Sequence, residues 1–413
     1  MPSLEFYLNS DFDLSLRGRP SLLESPDPTF VHEMAWHFLF AGGKSDSLIV
    51  HRPLPGDFLA YLAEKGLALP RIVVHPDYSA QSVFTPFGWN AHAEGLAERY
   101  AGQPAHPDSA AVKTANSRVF SLAWERECAG AEPPGGYGSL FVSLPELEDF
   151  LHGRAEPEGW VVKGNHGHAG TANRRVPSGP LAEVDRQALA QLLEEHGCVV
   201  AEPWQQRLMD MSVNFSVEKG GALKAFRGHQ LLNSRDGAFL GVKILPTRMP
   251  PEPWSRDLRA SASALAKALD AIGYFGPVSV DAYVFSSPAG PRLRPTVDIN
   301  ARHSMALPAH GLADRLPGKT LLWMWSKPRK LDLPGDYRSF DARLGAHAFR
   351  RDTGTGILAV SPLALEAPGG TGPVAASKGQ ALRPKRVGIL FSAEDEEGLA
   401  RLQSGFSRAM GRS

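Results

Sequence analysis

The chain has 413 residues, more than one compact core accommodates, so two or three domains are expected. Lysine plus arginine and aspartate plus glutamate each number 44, which leaves no overall field to gather nucleic acid or an anionic membrane. Its two cysteines, Cys128 and Cys198, have no metal-ligand spacing, argue against a disulfide framework and suit a reducing cytoplasm. The start, Met1-Pro2-Ser3-Leu4-Glu5, lacks a basic segment followed by an apolar one. No apolar run approaches the roughly 18 residues of a membrane span, so a soluble cytoplasmic protein is expected.

Residues 1 to about 105 read as α/β. Ser47-Leu48-Ile49-Val50 predicts a buried strand, residues 58–65 a helix stopped by Gly66, and Arg71-Ile72-Val73-Val74 another strand. That alternation predicts a parallel sheet with crossover helices, followed by a linker at residues 104–107. Residues 111–128 have helical character, and the Gly- and Pro-rich stretch 130–138 ends it. Pro145 opens a further short helix. Trp160-Val161-Val162-Lys163 predicts a strand, and residues 164–170 a glycine-rich loop. Residues 186–196 predict a helix with Leu189, Leu192 and Leu193 on one face and Gly197 as its stop, and Val199-Val200-Ala201-Glu202 the next strand. Leu258, Ala262, Leu265, Leu269 and Ile272 recur at helical spacing. Beyond Gly311, residues 356–360 and 386–390 predict a strand pair, 367–378 a mobile loop and 393–406 a closing helix.

Three constellations carry chemistry. Lys163 ends a strand beside Gly164, Gly167 and Gly170, which could set an ammonium and several backbone N–H groups round a polyphosphate. The spacing fits neither a Walker loop nor a Gly-x-Gly-x-x-Gly turn, and the plain alternative is a flexible hairpin tip. His166 and His168 lack a third ligand at metal spacing. Glu202-Pro203-Trp204 breaks a strand and frees backbone groups for an adenine edge, while Asp210 could accept two ribose hydroxyls. The plain alternative is a surface acid followed by a core tryptophan. Last, alternation along a strand puts Asp298, Asn300 and Arg302 on one face, with Asp281 on the preceding strand of a hairpin turned at 286–290. Two carboxylates and an amide oxygen suit Mg²⁺ carrying nucleotide phosphates, and Arg302 adds a planar cation fitted to a carboxylate or phosphoryl oxygen. The plain alternative is a hairpin with solvated acids at its rim.

In this order, over about residues 110–309, these pieces resemble the ATP-grasp superfamily. The resemblance implies an α/β protein, α+β within the grasp. Residues 1–107 would form a pre-ATP-grasp α/β domain, 108–200 the first lobe with its Gly-rich loop, 201–312 the second lobe with the metal site, and 313–413 a C-terminal extension packing on the grasp. It implies that Lys163 contacts ATP phosphates under a loop holding Gly164, Gly167 and Gly170, that Glu202 and Trp204 flank the adenine hinge, and that Asp210 binds ribose. Asp281, Asp298 and Asn300 match the Mg²⁺ ligands (Mn²⁺ could replace the metal), and Arg302 matches the arginine that would hold the reacting acyl group. The chain departs from the pattern at Asp298, where the family usually has glutamate, and at Ser279, where some relatives have arginine. Lys113 and Arg118 both stand near the place of the upstream ATP lysine, and Arg235 and Lys243 are candidates for a further phosphate contact. The implied function is ATP-dependent ligation of a small carboxylate to an amine, both amino acids or short peptides, in bacterial secondary metabolism. The chain resembles stand-alone amino-acid and peptide ligases more than carboxylases. The alternatives are a ligase acting on a ribosomal precursor peptide and a non-catalytic ATP-binding regulator. No nucleic-acid or membrane partner is implied, and a homodimer is compatible with the reading. The substrate pocket would draw on the first domain, Arg302, Arg174, Arg175 and the C-terminal unit.

Overall fold

The computed structural model describes residues 3–25, 27–75, 82–99, 105–128, 136–167, 172–234, 237–365 and 383–411. Of the residues singled out above, His168, Gly170 and Arg235 lie outside these, as does the stretch 367–378.

Three sheets organise the described residues. The first holds β1 (Leu4–Tyr7), β2 (Ser47–Val50), β3 (Arg71–Val74) and β4 (Val83–Pro86) in the order β3-β2-β1-β4, all parallel. Helices Thr29–Trp36 and Gly56–Glu64 make two of the crossovers. All four residues of β2 are buried, as a central parallel strand covered on both faces requires. Pro86 closes the edge strand β4, where its missing N–H leaves no ladder bond unmade.

The predicted helical stretch 111–128 is two helices, Ser109–Ala115 and Arg118–Cys128. Asn116 interrupts them for a tertiary reason. Its side chain donates to the Val112 carbonyl at 2.8 Å and accepts from the Ala301 amide at 2.9 Å. The Arg118 amide then donates to the Asn165 carbonyl at 2.9 Å, so the second helix starts against the glycine-rich loop.

The second sheet runs β5 (Ser139–Phe141), β8 (Val199–Pro203), β6 (Trp160–Gly164), β7 (Asn173–Val176), with antiparallel neighbours. Helices Leu144–Gly153 and Glu183–His196 pack on it around a separate small core that includes Leu147, Leu151, Trp160, Val162 and Leu189. Gly197 ends the second helix at φ 71°, the left-handed stop expected there.

The third sheet is antiparallel and larger. It comprises β9 (Arg207–Val217), β10 (Leu223–Asn233), β11 (Phe239–Ile244), β12 (Gly276–Phe285), β13 (Arg292–Asn300), β14 (Thr320–Ser326), β15 (Gly356–Ala359) and β16 (Val387–Ala393). The spatial order is β13-β12-β9-β10-β11-β14-β16-β15. The C-terminal strands thus continue the sheet through β11 and β14. At that seam Gly241 faces Met324, and a Cβ on the glycine would stand 2.2 Å from the Trp323 carbonyl oxygen. Helix Trp254–Ala271 buries Leu258, Ala262, Leu265 and Leu269, the predicted stripe, against β9, β10 and β13. The closing helix is Glu396–Met410, later than predicted, because Ala393 ends β16 and Asp395 caps the helix by accepting from the Gly398 amide.

Arg315 fastens the first domain to this body. Its guanidinium donates to the carbonyls of Ala68 and Gly42, both at 2.6 Å, and of Phe40 at 3.3 Å. Among the described residues no helix is long and apolar enough to cross a membrane.

Candidate functional site

A cleft of about 230 Å³ opens between the second and third sheets. On its floor β12 and β13 pair in a register that sets Asp281 directly opposite Asp298, and Ser279 opposite Asn300. Opposite residues of an antiparallel pair share a face, so the two carboxylates stand side by side. The row continues through Ser212 on β9 to His229 on β10. Ser212 is fixed by the Ser279 hydroxyl at 3.0 Å and donates to the Val280 carbonyl at 3.1 Å.

The row is short of positive charge. Burial, and then the negative Asp298 beside it, push the Asp281 carboxyl up to about 7. Two carboxylates in one low-dielectric place resist joint ionisation unless a cation joins them. Arg118 meets that need in part, in a short ion pair with Asp298. Asp281, Asp298 and the Asn300 amide oxygen also fit a hard divalent cation completing its shell with ligand oxygens, the usual mode for Mg²⁺ with phosphates. Among the described residues no cluster of three or more His, Cys, Asp or Glu forms an all-protein cage. Arg302 also lines the cleft. It donates from Nε to Asp13 and from Nη2 to the Asn300 side chain, both at 2.9 Å, and lies 4.8 Å from the Phe87 ring centre.

Across the cleft, Lys163 ends β6 with its ammonium 2.9 and 2.8 Å from the two oxygens of Glu202. Glu202 is shared with Arg294, whose Nη1 is 2.9 Å away, and Arg294 grips Glu125 at 2.5 and 2.6 Å. All four side chains are buried. Burial alone would raise the Glu202 carboxyl, but Lys163 and Arg294 hold it down to about 2. Burial lowers Lys163 to about 8 against the pull of Glu202. At neutral pH the pair is therefore charged.

Between the sheets runs a hinge. The Trp204 amide donates to the Gly159 carbonyl at 2.8 Å, and the Gln206 carbonyl accepts from the Ser286 amide at 3.1 Å, so it is tied to both sides. The Trp204 ring is flanked by the guanidinium groups of Arg175 and Arg207, at 4.6 and 5.0 Å. Arg207 also binds Asp210 at 3.0 Å.

No protein-family model matches the chain, and no curated protein matches it by sequence. Solved structures do. N5-carboxyaminoimidazole ribonucleotide synthetase from Thermus thermophilus is 14% identical with a TM-score of 0.51, covering 98% of each chain. N5-carboxyaminoimidazole synthetase from Staphylococcus aureus complexed with ADP is 12% identical with a TM-score of 0.51, covering 98% of this chain and 97% of the other. An ADP complex of N5-carboxyaminoimidazole ribonucleotide synthetase is 12% identical with a TM-score of 0.54, covering 98% and 96%. These are ATP-grasp enzymes, and the likeness runs almost the whole length of the chain. The chain has the ATP-grasp fold.

The expected fold class is borne out. The cleft between the second and third sheets brings together Arg118, Lys163, Trp204, Asp210, Asp281, Asp298, Asn300 and Arg302. Lys113 stands apart, exposed on the last turn of its helix. Lys243 does not line the cleft either, and it pairs with Glu396 of the closing helix at 2.9 Å. Of the two arginines, Arg175 lines the cleft while Arg174 pairs with Asp185. Two glycines of the loop have packing reasons to be glycine. A Cβ on Gly164 would stand 2.6 Å from the His196 ring, and one on Gly167 2.9 Å from the Ala172 side chain. The Glu202 side chain turns inward to Lys163 and Arg294, which leaves the hinge edge to backbone groups. Arg294 and Glu125 were not singled out from the sequence. Strand alternation gave no signal for Arg294, because the pairing of β13 with β12 shifts register between Asp298 and Arg294, and Thr296 between them bonds to Ser261 of the helix Trp254–Ala271.

Proposed function

We propose that the chain is an ATP-dependent ligase that activates a carboxylate as an acylphosphate and joins it to an amine. The observation that carries this is the facing of two unlike walls across one cleft: paired acids Asp281 and Asp298 on one side, Lys163 on the other. Two of the similar ATP-grasp structures are named as ADP complexes, which supports a nucleotide in the same cleft here. On this reading the hinge at Trp204 faces adenine, Asp210 the ribose, and Lys163 and Arg118 the phosphates. Asp281, Asp298 and Asn300 would hold Mg²⁺, which when bound neutralises phosphate charge.

The chemistry asks the protein for alignment and charge, and no acid–base triad is needed. A carboxylate oxygen of the substrate attacks the γ-phosphorus, the bond to the β-phosphate oxygen breaks, and ADP leaves. The amine nitrogen then attacks the acyl carbon, phosphate departs with the carbon–oxygen electron pair, and the nitrogen loses its proton. Arg302, held by Asp13 and Asn300, is placed to steady the acyl oxygens. We assign amino acids or short peptides as the substrates. A second reading, bicarbonate as the carboxylate, has its own support, because the similar structures are named for a product carboxylated on nitrogen.

A mass-spectrometric screen of amino acids, small acids and bicarbonate with ATP and Mg²⁺, following ADP release and condensed products, separates these readings. With a productive pair in hand, Asp298→Ala should abolish Mg²⁺-dependent ADP release. Near-normal turnover of that variant would remove the metal assignment.

A further inference from the structure

Four buried charges bridge the second and third sheets. Glu125 lies on helix Arg118–Cys128, Arg294 on β13, Glu202 on β8 and Lys163 on β6. Arg294 is the node. It holds both oxygens of Glu125, donates to Glu202 and to the Tyr283 hydroxyl at 3.0 Å, and donates to the Tyr137 carbonyl at 3.1 Å, while only 3% exposed. Glu202 in turn closes on Lys163 with both oxygens.

The same helix and the same strand meet at a second point. Arg118 pairs with Asp298, and seven residues later Glu125 pairs with Arg294, four residues before Asp298. The two elements are thus fastened twice, with the charges in opposite order. One fastening ends on a candidate metal acid, and the other ends on the partner of Lys163.

We propose that Arg294, braced by Glu125, is a positioning residue for the phosphates of a bound nucleotide. Through Glu202 it fixes the Lys163 ammonium, and through Glu125 it holds the helix that delivers Arg118 to the cleft. The proposal rests on the nucleotide reading of the cleft. Stability alone does not account for such a network, because a buried ion pair is commonly matched or exceeded by apolar side chains of similar size. A brace with both ends on cleft cations needs these charges where they stand.

The test uses the full chain. Calorimetric titration with ADP in the presence of Mg²⁺ compares the unaltered protein with R294M/E125Q, which removes both charges of the node together, and with R294K. Thermal unfolding is measured alongside. R294M/E125Q should unfold near the temperature of the unaltered protein yet bind ADP at least tenfold more weakly, with R294K intermediate. The alkaline fall of ADP affinity should also move to higher pH, because the Arg294 charge, after burial and Arg118, is among the influences that depress Lys163. Should R294M/E125Q not fold, R294K carries the same comparison. ADP affinity and pH profile unchanged in a folded variant would overturn the brace while leaving the cleft reading intact. Absence of ADP binding by the unaltered protein would overturn both.

Discussion

At the residue scale the cleft depends on a few side chains whose surroundings are unequal. Among the described residues Lys163 has one ion-pair partner, Glu202, and it lines the cleft. Lys163→Ala would leave the buried Glu202 with Arg294 alone and remove the proposed phosphate cation, so the KM for ATP should rise by tenfold or more and the unfolding temperature should fall. Calorimetric ADP affinity equal to that of the unaltered chain would make Lys163 an ordinary buried ion-pair lysine. Gly138 is a subtler case. It sits at φ 119°, and a Cβ there would stand 2.8 Å from Glu202 Cγ. Gly138→Ala therefore strains the backbone and displaces Glu202, and we expect both a lower unfolding temperature and weaker ADP binding. A change in unfolding temperature alone would mean that Glu202 had kept its place. The acids and Lys163 were legible in the sequence because each ends a strand or alternates along one. Arg294 and Glu125 were not, because an arginine in a strand and a glutamate in a helix ordinarily signal solvent. Only the fold shows that they face each other.

At the scale of elements, short apolar strands and the amphipathic helix Trp254–Ala271 were readable, since each has a strong period. The long strands β9 and β10 were not. They mix polar cleft residues such as Asp210, Ser212 and His229 with core residues, so their pattern follows the site as well as the sheet. The break between Ser109–Ala115 and Arg118–Cys128 was also hidden, because Asn116 has its bonding partner at Ala301, far along the chain. Asn116→Ala would leave the Ala301 amide without its acceptor and loosen the start of the helix bearing Arg118. We expect a loss of about 1–3 kcal/mol in stability, the cost of one unsatisfied buried donor, together with weaker ADP binding. Denaturant unfolding and calorimetry on the same preparation check both, and an unchanged ADP affinity would detach this helix start from the cleft.

At the scale of the whole molecule, the fold keeps buried histidines neutral both where the first domain meets the third sheet and within the packing of that sheet. Burial, and then the Arg386 charge, depress His37 to about 3, and burial alone depresses His229 to about 3. Each has a built role as a neutral ring. His37 Nε2 lies 3.3 Å from the Trp325 indole nitrogen, fitting an acceptor that ties the first domain to β14, and His229 Nδ1 meets His310 Nε2 at 3.2 Å. The unfolded chain takes up protons at these rings near pH 6.5, whereas the folded chain does not until about pH 3. Their stabilisation is thus fully present above pH 6.5 and is lost as pH falls from 6.5 toward 3. At pH 5 each ring could cost up to about 2 kcal/mol relative to pH 7. Glu202, depressed to about 2, adds its own loss only below about pH 4.5, so above that pH it does not contribute to the decline. Asp281, raised to about 7, takes up a proton in the folded chain over the same window and offsets part of that loss, while His51, His196 and His303, each depressed to about 4, add to it. We expect the unfolding free energy to decline from pH 6.5 to 5. H37Q, which keeps a hydrogen-bond acceptor without a titrating ring, should flatten part of that decline. A pH slope in this window identical to that of the unaltered chain would mean that His37 opens to solvent before the protein unfolds.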